Sequence, residues 1–177
     1  MTTASTSTRW LPLGTPSPEA PRLFCFPHAG ASAATFASWQ KLAGHEIAVC
    51  PIQPPGRAER YREPAFRDVS AFVDDVVAEL NPQFTGRYAL FGHSMGALVV
   101  FELVRRLRAL GVTPPVHVFV SGRPAPQLPE SRTPLRDLPV GGVEEAREHC
   151  ADRLLLLLDV ELQLAIDVRE QVCANVL

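Results

Sequence analysis

Residues 88–111 read YALFGHSMGALVVFELVRRLRALG, and the order of residue types along this stretch decides the fold. Tyr88 to Phe91 is a short apolar run with aromatic side chains, the pattern of a buried strand. Gly92-His93-Ser94-Met95-Gly96 follows, and a helix then runs to about Leu110 and stops at Gly111. The first half of that helix, Ala97 to Phe101, is apolar all round, which predicts a central and buried helix. A glycine-flanked serine between such a strand and such a helix reads as a sharp, strained turn with Ser94 at its apex. The glycines are required because a Cβ at either place would collide with the neighbouring strand or helix. At the apex the serine Oγ stands above the sheet edge. The helix N-terminus and the N–H of Met95 beneath it favour a developing negative charge. A tight turn with a surface serine explains the five letters alone, but not the strand before them and the helix after.

Working outward, Leu23 to Phe26 is a short apolar run ended by Pro27, and Ile47 to Ile52 is a second, closed by Pro54, Pro55 and Gly56. Between them Ser32 is an N-cap candidate, with Phe36, Trp39 and Leu42 at helical spacing up to Gly44. Residues 57–66 are polar and read as loop. Asp68 caps the clearest helix: Val69, Phe72, Val73, Val76, Val77 and Leu80 form an unbroken stripe that ends before Pro82. Val116 to Val120 is a fourth strand. Strands alternating with helices, and continuous rather than alternating apolar strands, predict an α/β fold with a mostly parallel sheet covered by helices on both faces. Residues 1–21 read as an arm, opposed to regular structure by four prolines, although Trp10 and Leu11 are able to tuck onto the body. Residues 22–139 are the core and 140–177 a divergent tail. In that tail Leu158 to Val168 alternates with period two. Its Leu, Glu, Gln and Ala content and its length favour a helix over a strand.

A chain of 177 residues with 46% hydrophobic and 20% charged side chains fits one globular domain. A net charge of -2 with no basic run gives no electrostatic case for a nucleic-acid partner. No window holds the roughly 18 apolar residues of a membrane span, and the Thr-, Ser- and Pro-rich start lacks the apolar segment of a secretory leader. Cys25, Cys50, Cys150 and Cys173 make no C-x-x-C pair and read as apolar core thiols, which fits the cytoplasm. No metal and no cofactor is expected.

Charge stabilisation at Ser94 needs a second N–H donor, and the loop after an upstream strand supplies one in such folds. Phe26-Pro27-His28-Ala29-Gly30-Ala31 sits there, and Ala29, small and next to glycine, is the candidate. A serine also needs a base. His28 lies in that loop, His93 in the bend pointing elsewhere, His45 in a turn, His117 at the start of a strand, and His149 beyond the last clear strand. Asp137, Asp152, Asp159 and Asp167 follow Ser94 without a recognisable strand-end position, so neither acid nor base is nominated.

The blocks RLFCFPHAGASAATFASW (22–39), PPGRAER (54–60), ALFGHSMGALVVFEL (89–103) and FVSGRPAP (119–126) resemble the type II thioesterases that accompany polyketide and nonribosomal peptide synthetases. The resemblance implies an α/β-hydrolase fold with Ser94 as the acylated nucleophile and Met95 and Ala29 as the oxyanion hole. It implies an editing reaction, hydrolysis of aberrant acyl groups from the phosphopantetheine thiol of acyl or peptidyl carrier proteins. Ala31 stands where the family usually has a second glycine. After Pro139 the likeness fades: the family's lid helices, strand-end aspartate and late histidine have no counterpart in 140–177. The expectation is a shortened or frameshifted product lacking the C-terminal strands and weakened by the missing base. Malonyl transacylases place a glutamate after the last glycine of the bend, where this chain has Ala97. An oxygen esterase of the same fold, and a catalytically dead fragment that binds carrier proteins or acyl chains, remain as alternatives.

Overall fold

The computed structural model describes residues 8–14 and 20–123. The expectations for residues 124–177, including the helix over Leu158 to Val168, lie outside the described residues. Four strands, β1 (Arg22–Phe26), β2 (Ala48–Pro51), β3 (Tyr88–His93) and β4 (His117–Ser121), form one sheet in the order β2-β1-β3-β4. Every adjacent pair is parallel.

Alternate strand residues point to opposite faces, and both faces are covered. Phe24, Phe26, Tyr88 and Leu90 pack with Phe72, Val76 and Leu80 of α2 (Val69–Leu80) and Val99, Val100 and Leu103 of α3 (Met95–Ala109). Leu23, Cys25, Ala89 and Phe91 pack on the other face with Phe36 and with Trp39 of α1 (Trp39–Ala43). Two-sided burial is why β1 and β3 are apolar at successive positions. The α2 stripe is realised as read, and Asp68 caps it by accepting the Ser70 N–H at 3.0 Å.

Three expectations change. The helix read from Ser32 to Gly44 is two pieces, a 3-10 turn over Ala33–Phe36 and the short α1. The tighter turn lines up residues three apart, so Ala33, Phe36 and Trp39 all face the sheet. Phe36 and Trp39 then both reach Phe91, at 5.8 and 4.8 Å between ring centroids. Second, α3 is not buried all round. Ala97, Val99 and Val100 face inward while Phe101 is 43% exposed, because the helix lies on one face of the sheet. Third, β4 is not fully buried: Val118 and Val120 are exposed at the end of the described strand order.

Of the N-terminal arm, residues 8–14 are described, and Trp10 and Leu11 are buried in the main core. The Trp10 indole N–H donates to Asp75 at 3.2 Å. Its ring meets Phe72 edge-on at 5.1 Å, and the Arg60 guanidinium lies 4.7 Å from its centroid. Arg9 adds a 2.8 Å bond to Glu79. Trp10→Ala therefore empties a core site and is expected to cost about 3 to 5 kcal/mol in denaturant unfolding. Trp10→Phe, which keeps an aromatic ring but loses the pyrrole part of the indole and its N–H, should cost clearly less.

Candidate active site

Strand β3 passes into α3 through one residue. Ser94 has φ 52 and ψ −106, left-handed backbone that a side chain adopts only under constraint. Its N–H donates to the Ser121 carbonyl at 2.8 Å, tying the bend to the end of β4. The glycines are required as expected. A Cβ on Gly92 would lie 2.3 Å from the Gly96 carbonyl oxygen, and one on Gly96 would lie 2.1 Å from the Phe26 carbonyl oxygen. Parallel strands end on a common side, so Ser94, Phe26 and Ser121 all stand at the carboxyl rim of the sheet.

The loop after β1 reaches the same place. Gly30 has φ 84, and the Ala31 N–H closes the turn onto the His28 carbonyl at 3.2 Å. Ala29 and Met95 line one cavity of about 100 Å³, together with His28, Gly30, Ala31, Pro54, Pro55, Arg57, Ala65, Phe66 and Phe72. Ser94 is half-buried and directly precedes Met95. Met95 opens α3, so its N–H has no partner within the helix. The structure thus brings two of the three sequence-nominated residues to one cavity, while Ser94 is not among its lining residues and adjoins Met95 in sequence.

The His93 side chain faces Ser121 at the end of β4 and the ring of His28. It is 5% exposed, its Nδ1 lies 3.3 Å from the Ser121 hydroxyl, and its ring stands edge-on to His28 at 5.7 Å. Burial, and then the neighbouring His28, holds the His93 imidazole below its ordinary pKa; burial alone lowers that of His28. Both rings are therefore neutral near pH 7. Burial pushes the Cys50 thiol up to about 12, so it is an inert core group. Between Met95 and Arg123 the one carboxylate is Glu102, bonded to Arg105, and the one histidine is His117. His117 pairs with Ala89 at the start of the sheet, the edge opposite Ser94. Among the described residues no cluster of His, Cys, Asp and Glu is arranged to hold a metal ion.

Sequence reasoning missed the residues that hold the cavity's far wall. The stretch 57–66 contains a 3-10 turn at Ala58–Arg60, and Arg60 is buried. Its guanidinium bonds the Gln53 carbonyl at 2.9 Å and grips Glu63 through two bonds of 2.7 and 2.6 Å. These bonds hold the Glu63 carboxyl below the usual carboxylate range. The signal available was Pro54-Pro55-Gly56, whose fixed backbone asks for side-chain anchors in place of a hydrogen-bond ladder.

A parallel sheet with helices on both faces, in which an inner strand turns through a left-handed serine into a helix packed on the sheet, is the α/β-hydrolase fold. Within that class the chain belongs to the thioesterase domain family, which matches residues 21–148, beyond the Pro139 limit of the sequence resemblance. Among curated relatives, linear gramicidin dehydrogenase LgrE of Brevibacillus parabrevis is 44% identical over 117 residues, 66% of this chain and 44% of that protein. The gramicidin S biosynthesis protein GrsT of Aneurinibacillus migulanus is 40% identical over 142 residues, 80% of this chain and 56% of that protein. Among solved structures, RedJ, a thioesterase from the prodiginine pathway of Streptomyces coelicolor, superposes with a TM-score of 0.70 at 36% identity, covering 89% of this chain and 59% of that one. The chain spans about half the length of the curated relatives it matches.

Two outcomes test this geometry. Gly96→Ala drives a methyl group into backbone that cannot yield and should cost about 3 kcal/mol or more. Gly111→Ala, with φ 67 and open space around it, should cost only about 1 to 2 kcal/mol. Because folding lowers the pKa of His28 and His93, the native state binds fewer protons than the unfolded chain in acid. Their contribution is whole above about pH 6.5 and is lost as the pH falls through the native values. Unfolding midpoints should therefore drop on acidification, and less steeply in His93→Asn.

Proposed function

We propose that this chain is a serine thioesterase core that acts on acyl groups carried as thioesters on the phosphopantetheine arm of a carrier protein. The observation that carries the reading is the meeting of Ala29 and Met95 on one cavity beside the strained Ser94. In the proposed reaction Ser94 Oγ attacks the thioester carbonyl carbon and its proton passes to a base. The carbonyl oxygen becomes an anion that accepts hydrogen bonds from the N–H groups of Met95 and Ala29. The C–S bond breaks, the thiol leaves with a proton, and water then cleaves the acyl ester. Donors fixed before the reaction need no rearrangement when the charge appears, which is where their advantage over water lies.

Membership of the thioesterase domain family supports the thioester over the oxygen ester as substrate. The names of GrsT and RedJ, from gramicidin S and prodiginine biosynthesis, support a carrier-bound acyl chain as the partner. The name of LgrE raises a dehydrogenase, but a dinucleotide-binding turn needs three glycines after the first strand. Here that turn is Pro27-His28-Ala29-Gly30-Ala31, with one. Cytoplasmic residence is supported by the buried apolar thiols Cys25 and Cys50. Among the described residues no helix is long and apolar enough to cross a membrane.

A fluorophosphonate probe should label Ser94 in the 177-residue chain and not in Ser94→Ala, read by mass spectrometry. Hydrolysis of a short acyl thioester is followed in parallel. Labelling without turnover favours the binding fragment over the enzyme, and turnover that survives Ser94→Ala removes Ser94 as nucleophile.

A further inference from the structure

The cavity has two walls, the loop after β1 at residues 27–31 and the loop after β2 from Pro54 to Phe66. One buried side chain joins them. Gln53 is 2% exposed, and its Oε1 accepts the Ala33 N–H, just beyond the first wall, at 3.2 Å. Its Nε2 donates to the carbonyls of Pro54 at 3.1 Å and Arg57 at 3.0 Å, both in the second wall. The main chain of Gln53 is held as well, by the Trp10 carbonyl at 3.0 Å and by Arg60 Nη1 at 2.9 Å.

A primary amide offers two N–H donors and one carbonyl acceptor, and here both donors and the acceptor are engaged. No other side chain of this length meets two carbonyls with donors and an N–H with an acceptor. Buried polar groups satisfied in this way rigidify whatever they join. We propose that Gln53 is a positioning residue that sets the gap between the two cavity walls, and through it the acyl groups that the cavity admits. The selectivity rests on the reading of the cavity as the acyl site. Gln53 touches neither the nucleophile nor the oxyanion donors; it acts through the loops that carry them.

The test uses the 177-residue chain with two kinds of variant. Gln53→Met keeps the length and removes all three side-chain bonds. Ala33→Pro leaves Gln53 untouched and deletes only the N–H that its Oε1 accepts. Proline is tolerated at the first residue of a helical turn, and Ser32, at φ −131 and ψ 179, already has the extended backbone that a following proline requires. Amide exchange is measured by mass spectrometry, and Ser94 labelling rates are compared for short- and long-chain alkyl fluorophosphonates. In both variants exchange should speed in residues 27–36 and 54–58 while β1, β3 and α2 keep their protection. The short-to-long labelling ratio should move by roughly tenfold or more, the scale on which an apolar pocket distinguishes chains that differ in length. Exchange that rises equally through strands and helices overturns the proposal, leaving Gln53 a general stabiliser. Loosened loops with an unchanged ratio overturn the selectivity. A wild-type chain that no probe labels overturns the acyl-site reading and the selectivity with it, whereas the exchange pattern still decides whether Gln53 joins the walls.

Discussion

The first turn of α3 lies against the end of β1 so closely that a single methyl group on Gly96 would come within 2.1 Å of the Phe26 carbonyl oxygen. Much follows from that contact. A helix so near the sheet leaves room for only one residue between β3 and α3, and that residue must turn left-handed, which fixes Ser94 at φ 52. The loop that carries Ala29 begins one residue after Phe26, so the approach that strains the serine also brings Ala29 to the cavity that Met95 lines. Bend and loop are thus consequences of one packing distance rather than two separate devices. Strain of this kind costs on the order of 1 to 3 kcal/mol and persists only where surrounding structure over-determines it. Here the overdetermination comes from β3, paired on both sides, and from the Ser94 N–H held by Ser121.

The far side of the cavity obeys a different rule. Residues 54–66 hold three prolines and cannot be secured by a ladder of main-chain bonds. Buried polar side chains take that role. Arg60, gripped by Glu63 and stacked on Trp10, fastens the loop to the arm, and Gln53 fastens it to the residues beyond the β1 loop. A buried guanidinium is stable only when its donors are used, which is why Arg60 spends its hydrogen bonds on Gln53 and Glu63. Polar groups therefore do on this side what close backbone packing does on the other.

That contrast explains what the amino-acid sequence reveals. The Val69 to Leu80 stripe, the Asp68 cap and the four strands are legible because each is written in neighbouring residues at periods of 3.6 or 2. The bend at Ser94 is legible because glycine spacing beside a strand encodes a backbone conformation, again a local matter. Trp10 and Leu11 are legible as residues able to tuck onto the body, but the partners of Trp10, Gln53 and Arg60 are not local. Trp10 meets Asp75 and Gln53 meets Ala33 only after folding, and a polar side chain in a proline-rich stretch reads as solvated until its partner is in place. Misjudged cover has the same origin: the apolar letters of Phe101, Val118 and Val120 say nothing about which face of the sheet reaches them.

The nucleophile and the electrostatic half of the proposed chemistry both lie within residues 22–122, and this bears on what such a core is able to do. A proton acceptor would raise the reactivity of the serine, whereas in the proposed reaction the two N–H groups act on the carbonyl oxygen whether or not the hydroxyl is activated. In serine hydrolases whose triad is disabled, the oxyanion hole and substrate binding alone retain roughly 10³ to 10⁴-fold acceleration over water. In the proposed reaction, the part assigned to the Met95 and Ala29 N–H groups, polarising a carbonyl group, is therefore separable from the base. On that reading, a proton acceptor would act beside N–H groups whose places are set by the packing of α3 on β1 and not by the base.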